Sequence, residues 1–189
     1  MYVGGQEHAT GHLLYSRFWT NFLYDMVYLS FKEPFKKMKN QGMVIAADGR
    51  RMSKRWGNVV NPDDIVKNYG ADTLRVYEMF MGPFDQMLPW STESIIGSRR
   101  FLEKVWRIGN RVIVDKSLST SPELEIILHK TIKKVTEDIE NFAFNTAISS
   151  MMIFVNETDT TLSKGQVISQ DDFKKFLQIL SPFAPHLTE

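Results

Sequence analysis

The residues best suited to chemistry lie close together in the segment DGRRMSKRWGNVVNPDD, residues 48–64. Residues 48–58, which we call the basic loop, carry four basic side chains within six positions: Arg50, Arg51, Lys54 and Arg55. Gly49 and Gly57 let the backbone turn tightly and let a ligand come close. Backbone N–H groups, the Ser53 hydroxyl and the Lys54 ammonium are donors that phosphate oxygens accept. The loop therefore indicates either a phosphate-binding site or a solvated basic turn.

Phosphoryl and adenylyl transfer build negative charge on the leaving phosphates, and a positioned lysine neutralises it. The Asp48-Gly49 pair predicts a hairpin turn before the loop, and Asn61-Pro62 predicts a helix start after it. A loop between two such elements can close over a ligand. Charge alone favours the solvated turn, so the neighbouring elements have to decide between the two interpretations.

A second candidate site opens the chain as GGQEH, residues 4–8. Glycines at a strand end let a nucleoside lie close to the backbone, and a carboxylate there can accept both ribose hydroxyls. Glu7 has an alternative role, since an acidic residue in the first turn stabilises a helix N-terminus. His8 has the alternative of a hydrogen-bonded core histidine. The i,i+4 pair His8 and His12 lacks the glutamate of a zinc motif and is interpreted as coincidence.

Composition excludes several classes of protein. The chain has 189 residues, 43% apolar and 24% charged, which is typical of one large or two small globular domains. Its net charge of +1 predicts that any polyanion is bound by a local patch. No cysteine is present, which excludes disulfides and thiolate metal sites, and we predict no metal bound by the chain. No signal peptide or membrane span is visible, which favours a cytoplasmic protein without membrane contact.

The hydrophobic pattern divides the chain into two parts. Residues 1 to about 90 are expected to be the end of an α/β domain and a connecting region, whereas residues 92–189 are expected to be an antiparallel helical bundle. The aromatic stripe at 14–28 is expected to be core. The predicted elements are a strand at 2–5, a helix at 7–30, a basic helix or turn at 34–42, a strand at 43–46, helices at 61–70 and 71–81, an irregular stretch at 84–91, and helices at 92–114, 122–140, 141–158 and 169–180.

Four segments, in order along the chain, resemble one family. RMSKRWGN is similar to the KMSKS loop of class I aminoacyl-tRNA synthetases, with Met52, Ser53 and Lys54 matching. YVGGQEHATGHLLYSRFW and NPDDIVKNYGADTLRVYEMFMGP resemble the segments on either side of that loop in leucyl-tRNA synthetases. FNTAISSMMIFVN and LSPFAPHLTE resemble their anticodon-binding bundle. The resemblance decides between the two interpretations of the basic loop in favour of phosphate binding.

The resemblance implies a mainly α fold, in which the end of a Rossmann-like catalytic domain (1–60) continues through connecting helices (61–91) into an anticodon-binding bundle (92–189). It implies a leucine–tRNA ligase that uses leucine, ATP with Mg²⁺ and leucine-accepting tRNA, and whose parent protein is monomeric. Lys54 would be catalytic. Arg51 stands for the first family Lys and keeps its charge, whereas Arg55 stands for the final Ser and replaces a hydroxyl by a charge; both are candidates for phosphate contacts. The implied ATP and adenylate contacts are Gly4, Gly5, Glu7, His8, Met52, Ser53 and Lys54.

Two alternatives stay open from the sequence. The chain could be a helical tRNA-binding module without chemistry, or part of a sister enzyme for isoleucine, valine or methionine. Basic residues of the helix at 92–114 are candidates for phosphate contacts, although interspersed acidic residues also fit a solvated face. These candidates are Arg99, Arg100, Lys104, Arg107 and Arg111.

One family motif is missing from the sequence. No His-x-Gly-His occurs, and the family uses that motif to stabilise the ATP transition state. The chain also opens directly at what is predicted to be a strand end, so we expect a fragment of a longer protein. For both reasons we expect negligible amino-acid activation by the isolated 189-residue chain.

Overall fold

A parallel β-strand pair with a helix between its strands forms the N-terminal unit of the computed structural model, which describes residues 1–112 and 119–189. Strand β1 (Tyr2–Gly5) pairs with β2 (Met38–Gln41), and Tyr2 lies opposite Met38. Between the strands come a 3₁₀ turn (Gln6–His8), a π-helical segment (Ala9–Leu13) and helix α1 (Leu14–Asp25). This β-α-β order is the unit expected at the end of an α/β domain.

Two predictions for this unit are wrong. The basic helix or turn expected at 34–42 contains β2, because Tyr2 N donates to Lys37 O at 2.8 Å and pairing with β1 overrides local propensity. The helix expected at 7–30 ends at Asp25, and two residues later Val27 has a positive φ of 64°.

The aromatic stripe of α1 is also not core in this chain, since Phe18 is 60% and Trp19 is 56% exposed. Thr20 is the buried residue of α1. The physical reason is that no described element packs over the aromatic side of the helix. The apolar side chains on that side are therefore exposed to solvent. The stripe and its extension expose these large apolar side chains: Leu14, Tyr15, Phe18, Trp19, Phe22, Met26, Val27, Tyr28 and Phe31.

A second, short pair of parallel strands is formed by the segments that precede and follow the connecting helices. Strand β3 (Val44–Ile45) pairs with β4 (Leu88–Pro89), so the stretch 84–91 that was expected to be irregular contains a strand. Helices α2 (Pro62–Tyr69) and α3 (Ala71–Phe80) lie between β3 and β4 in sequence. A small core joins these elements to the start of the bundle through Ile65, Leu74, Tyr77, Trp90 and Ile95.

The boundaries of α2 follow from its local sequence. Asn61 Oδ1 accepts a hydrogen bond from Asp63 N at 3.2 Å, and Pro62 occupies the first turn, as predicted for a capped start. Gly70 ends the helix with a φ of 92°, a conformation that favours glycine.

Among the described residues after β4, five helices follow: α4 (Ile95–Gly109), α5 (Pro122–Glu140), α6 (Phe144–Ser163), α7 (Gln170–Leu180) and α8 (Pro185–Thr188). Residues 113–114 of the helix predicted at 92–114 lie outside the described residues. The short link between α5 and α6 makes these two helices antiparallel neighbours. The bundle core includes the fully buried side chains Val76, Val105, Ile108, Leu124, Leu128, Val135, Ile148, Met151, Phe154, Phe176 and Leu180.

Helix α3 connects the two parts of the chain. Its Val76 belongs to the bundle core, and its Asp72 accepts a hydrogen bond from Leu187 N at the start of α8 at 2.7 Å. Asp72 Oδ1 also lies 2.8 Å from His186 Nδ1. The mainly α class with a helical bundle is confirmed, whereas the boundaries 1–60, 61–91 and 92–189 stay a prediction. No helix in the described ranges is long and apolar enough to span a membrane.

Candidate functional site

The basic loop begins in a tight turn after β3. Ala46 N donates to Arg50 O at 2.9 Å, and Ile45 and Arg51 form an isolated antiparallel bridge, so the predicted hairpin turn is present. Gly49 sits in the turn with a φ of 79°, which favours glycine over residues with a side chain. The turn sends residues 50–58 out from the small core as a loop.

Two polar side chains hold the shape of the basic loop. Asp48 accepts hydrogen bonds from Arg50 N at 3.0 Å and from two guanidinium nitrogens of Arg50 at 2.9 and 2.7 Å. These bonds hold the pKa of Asp48 below its usual range. Asn58 Oδ1 accepts from Ser53 N at 2.8 Å, and its amide nitrogen lies 3.4 Å from Arg51 O. Asn58, at the end of the loop, is therefore tied to residues 51 and 53 in its first half.

A single 3₁₀ turn at Lys54–Trp56, which we call the 54–56 turn, occupies the tip of the loop. Ser53 precedes it as N-cap and accepts from Arg55 N at 3.3 Å, while Gly57 follows it with a φ of 63°. Lys54 is exposed, and no hydrogen bond or ion pair of its side chain is found among the described residues. A free ammonium at the tip of a turn is available to a phosphate.

Arginine guanidinium groups lie against the Trp56 indole. The Cζ atom of Arg50 is 4.9 Å from the ring centroid and that of Arg55 is 5.3 Å away. Both distances are within the range of a cation–π interaction. The Trp56 side chain is nevertheless 54% exposed, so the stack sits on the outside of the loop.

Met52 is the anchor of the basic loop. It is half-buried and packs against the small core, whose buried members include Ile65 and Leu74. The structure thus places an apolar residue beneath Ser53 and Lys54. Met52, Ser53, Lys54, Arg51 and Arg55 are brought together by this one loop, and their contacts with ATP stay a prediction.

The glycine-rich segment forms a separate cluster at the end of β1. Gly5 is buried, and a Cβ placed on it would collide with the Glu7 carboxylate, so that carboxylate lies directly against the strand end. Glu7 and His8 are exposed, with His8 Nε2 at 3.9 Å from Glu7 Oε1. Among the described residues, no hydrogen bond or ion pair joins Gly4, Gly5, Glu7 or His8 to the basic loop.

Basic residues of α4 surround one carboxylate of α6. Asp159 lies 3.1 Å from an Arg107 nitrogen, 3.6 Å from one of Arg111 and 3.8 Å from Lys104 Nζ. Lys104 Nζ also donates to Asn156 Oδ1 at 2.7 Å. Three cations face one anion, which leaves an excess of two positive charges on a solvent-accessible face.

The other two basic candidates on α4 differ from one another. Arg99 donates to Glu103 at 2.7 Å and to Tyr69 O at 3.1 Å, so its guanidinium ties α4 to the end of α2. Arg100 is exposed, and no partner for its side chain is found within residues 1–112 and 119–189.

A cavity of about 580 Å³ lies between α3, α4 and α8. Its lining includes Thr73, Arg99, Trp106 and His186. Thr73 Oγ1 is buried and has no hydrogen-bond partner in the part of the chain that the structure describes. No residue of the basic loop lines this cavity, so we do not assign it to phosphate binding.

Sequence reasoning predicted the turn at Asp48 but not its bonds to Arg50, and it missed the roles of Trp56 and Asn58. Asp48 was visible as half of a turn pair. Asn58 had a local signal as well, because asparagine beside glycine is typical of side-chain bonds to nearby backbone. Trp56 had no such signal, since its contacts depend on where the turn places Arg50.

Comparison with known proteins agrees with this arrangement. Residues 9–91 match the family of class I tRNA synthetases (I, L, M and V), and residues 123–189 match the anticodon-binding domain of tRNA ligase. The chain therefore contains a class I tRNA synthetase domain followed by an anticodon-binding domain, and the resemblance drawn from its motifs is confirmed.

Within that class the chain is similar to a leucyl-tRNA synthetase. It matches the crystal structure of agnB2 LeuRS from Agrobacterium radiobacter K84, a ternary complex with tRNA and LeuAMS, at 35% identity and a TM-score of 0.87. The match covers 100% of this chain and 26% of that protein's chain. The 189 residues thus correspond to about a quarter of the length of that synthetase.

Proposed function

We propose that this chain is part of a leucine–tRNA ligase, in which the basic loop binds the phosphates of ATP during leucine activation. The observation that carries the proposal is the position of Lys54, exposed and unpaired in the described structure at the tip of a loop whose base is anchored by Met52. The similarity to a leucyl-tRNA synthetase over the whole chain supports leucine as the amino acid.

The reaction proposed for the full-length protein has two steps. In the first, the leucine carboxylate attacks the α-phosphorus of ATP, the bond to the β-phosphate breaks, and pyrophosphate leaves as leucyl-adenylate forms. In the second, a ribose hydroxyl at the 3′ end of tRNA attacks the leucyl carbonyl and AMP leaves. Mg²⁺ would accompany ATP as its phosphate-bound cation, and no group of acidic or histidine residues suited to a metal occurs among the described residues.

The role of Lys54 follows from the negative charge that develops during the first step. Negative charge builds on the leaving pyrophosphate, and an ammonium held near it stabilises the transition state more than the bound substrate. Ser53 and the nearby backbone N–H groups can orient phosphate oxygens. Arg51 and Arg55 add positive charge to the same loop.

The glycine-rich end of β1 is proposed to border the adenosine. The close approach of Glu7 to Gly5 places a carboxylate at the strand end, where it can accept hydrogen bonds from ribose hydroxyls. His8 is next to it and would border the pocket for leucine or the adenylate. Gly4 and Gly5 present backbone without side chains.

The helical bundle is proposed to bind leucine-accepting tRNA. The observation that favours this is the excess positive charge on α4 around Asp159, since cations that outnumber their anion remain attractive to phosphates. Arg100 adds a further exposed cation on the same helix. We place the full-length protein in the cytoplasm as a monomer, in line with the resemblance of the sequence.

Amino-acid-dependent exchange of pyrophosphate into ATP by the full-length protein tests the catalytic proposal. We expect exchange with leucine to exceed that with isoleucine, valine or methionine by at least about 100-fold in kcat/KM. A preference for one of the other three amino acids would assign the chain to that sister enzyme. The isolated 189-residue chain is expected to give no measurable exchange.

Binding of tRNA by the 189-residue chain tests the role of the bundle. We expect the affinity to fall as salt is raised, and Arg107→Ala to reduce the slope of log K against log salt concentration by up to about one unit. Glu137→Ala, which removes an exposed anion of α5, serves as the control and should not reduce the slope. A slope near zero would contradict a phosphate-binding role for the bundle.

A further inference from the structure

We propose that Trp56 is a positioning residue for Lys54: its indole, stacked with Arg50 and Arg55, fastens the 54–56 turn to the hairpin turn that precedes it. This inference rests on the proposed role of Lys54 in leucine activation. It assigns a function to a residue that neither the charge pattern nor the motif of the basic loop explains.

The Arg50 guanidinium that stacks on Trp56 is held in place by Asp48. Two guanidinium nitrogens of Arg50 donate to the Asp48 carboxylate at 2.9 and 2.7 Å, and the Arg50 N–H donates to the same carboxylate. A guanidinium held by its edge in this way keeps its planar face free for stacking. The Trp56 indole lies at that group, with its centroid 4.9 Å from Arg50 Cζ. The indole is thereby linked to the hairpin turn.

The 54–56 turn needs such a link because its own bonds are few. Trp56 N donates to Ser53 O at 3.0 Å, but the bonds from Arg55 N to Ser53 Oγ and from Gly57 N to Lys54 O are both 3.3 Å long. A single helical turn has little stability by itself. Gly57, with its φ of 63°, is a permissive hinge directly after the turn. Met52 and the bond from Ser53 N to Asn58 Oδ1 hold the start of the turn, and the indole contacts hold its end after Lys54.

The same stack accounts for arginine at position 55, where the family motif has serine. The Arg55 Cζ atom lies 5.3 Å from the indole centroid, so its guanidinium is directed to Trp56. A serine hydroxyl is too short and carries no charge for this contact. Arg55 and Trp56 therefore act as a pair that stiffens the turn holding Lys54.

Steady-state kinetics of leucine activation in the full-length protein test the inference. Trp56→Leu keeps an apolar side chain but removes the aromatic ring, and we expect kcat to fall about tenfold with an unchanged KM for leucine, the effect of losing two exposed cation–π contacts. Trp56→Phe keeps a ring and should lose less than about threefold. Trp106→Leu removes another exposed indole, on α4 outside the loop, and serves as the matched control, with unchanged kcat. Equal losses for the Leu and Phe variants would overturn the inference.

A double-mutant cycle then asks whether Trp56 acts through Lys54. Adding Trp56→Leu to Lys54→Ala should lower kcat no further, because there is no ammonium left to position. Multiplicative losses would show that Trp56 acts independently and would overturn the inference. If Lys54→Ala itself has no effect, the proposed function of the loop fails; if Lys54→Ala lowers kcat and Trp56→Leu does not, only the positioning role fails.

Limited proteolysis gives a readout that does not depend on activity. Trypsin cleaves after Lys54 and Arg55, and cleavage requires the turn to open. We expect Trp56→Leu and Arg55→Ser in the full-length protein to speed cleavage within residues 51–55 several-fold, at an unchanged rate for the rest of the chain; for Arg55→Ser the bond followed is that after Lys54. Unchanged cleavage of the loop in both variants would contradict the stacking role.

Discussion

At the scale of single residues, the cations of the basic loop differ in whether they contact other side chains of the loop or are available to a ligand. Arg50 is engaged by Asp48 and Arg55 is directed to Trp56, whereas no partner for Lys54 is found among the described residues. Three of the four cations in this segment therefore have different roles. The difference arises because a short turn gives each side chain a different direction.

Replacing Lys54 by alanine tests the role of the remaining cation. We expect Lys54→Ala to lower the rate of leucine activation by about 100-fold or more, because the ammonium acts as charge develops on the leaving phosphates. Leucine binding should change little, since the ammonium makes its contribution in the transition state. Pyrophosphate exchange measures the first quantity and equilibrium dialysis of leucine the second.

Lys67→Ala is the matched control, because Lys67 is exposed on α2 outside the loop. Its exchange rate should equal that of the unchanged protein. An unchanged rate for Lys54→Ala would remove Lys54 from the mechanism.

At the scale of elements, capping interactions hold the bundle together at the start of α7. Asp172 is buried and accepts hydrogen bonds from Thr120 Oγ1, from Ser169 Oγ at 3.0 Å and from Lys175 Nζ at 2.8 Å. Ser169 in turn accepts from Asp172 N as the N-cap. These contacts join the chain before α5 to the N-terminus of α7.

Asp172→Asn is expected to reduce the free energy of unfolding by about 2 kcal/mol at neutral pH, because it weakens charge-assisted hydrogen bonds in a buried place. Urea unfolding of the 189-residue chain measures the change. Asp171→Asn is the matched control, since Asp171 is the exposed acidic neighbour in the same first turn. If Asp171→Asn lowered the free energy of unfolding by the same amount, the loss in Asp172→Asn would come from the helix dipole alone and not from the hydrogen bonds.

The pH dependence of this contribution has a defined sign. Burial raises the pKa of Asp172, but the hydrogen bonds from Lys175, Thr120 and Ser169 outweigh it and hold the pKa below its usual value. The stabilisation is therefore complete above the unfolded-state pKa of about 3.9, and it is lost as pH falls through the lowered folded-state value. We expect the difference in stability between the unchanged chain and Asp172→Asn to shrink between pH 5 and pH 2. A constant difference would contradict the assignment.

At the scale of the whole molecule, the chain consists of a bundle with a well-packed core and an N-terminal unit whose helix α1 shows an apolar face to solvent. Trp19 contacts both Phe18 and Phe22 edge to face, with ring centroids 5.7 Å apart in each of these two pairs. A contiguous apolar surface of this kind promotes association between molecules.

We expect the isolated 189-residue chain to associate at micromolar concentration through this face, and Phe18→Glu to reduce the association by placing a charge at its centre. Analytical ultracentrifugation measures the distribution of species. Ile153→Glu introduces the same charge at an exposed apolar position of α6 and is the matched control. Equal effects of the two substitutions would show that net charge, not the α1 face, controls association.

Local signals predicted much of the fold. The capped start of α2 at Asn61 and the Ser169 cap of α7 were readable because capping depends on neighbouring residues. The strand β2 was not readable, since MKNQ has no strand pattern and takes that structure through pairing with β1. The exposure of the α1 stripe was not readable either, because periodicity shows that a face is apolar but not what covers it.

The sequence by itself determined the family, the helices of the connecting region and of the bundle, and the residue types available for phosphate binding. Those properties reside in motifs and local periodicity, which do not depend on distant contacts. Only the tertiary structure decided that Asp159 gathers three basic residues of α4, that Met52 anchors the basic loop and that Trp56 stacks with Arg50 and Arg55. These contacts depend on the three-dimensional path of the backbone, and that path is set by packing between elements far apart in the chain.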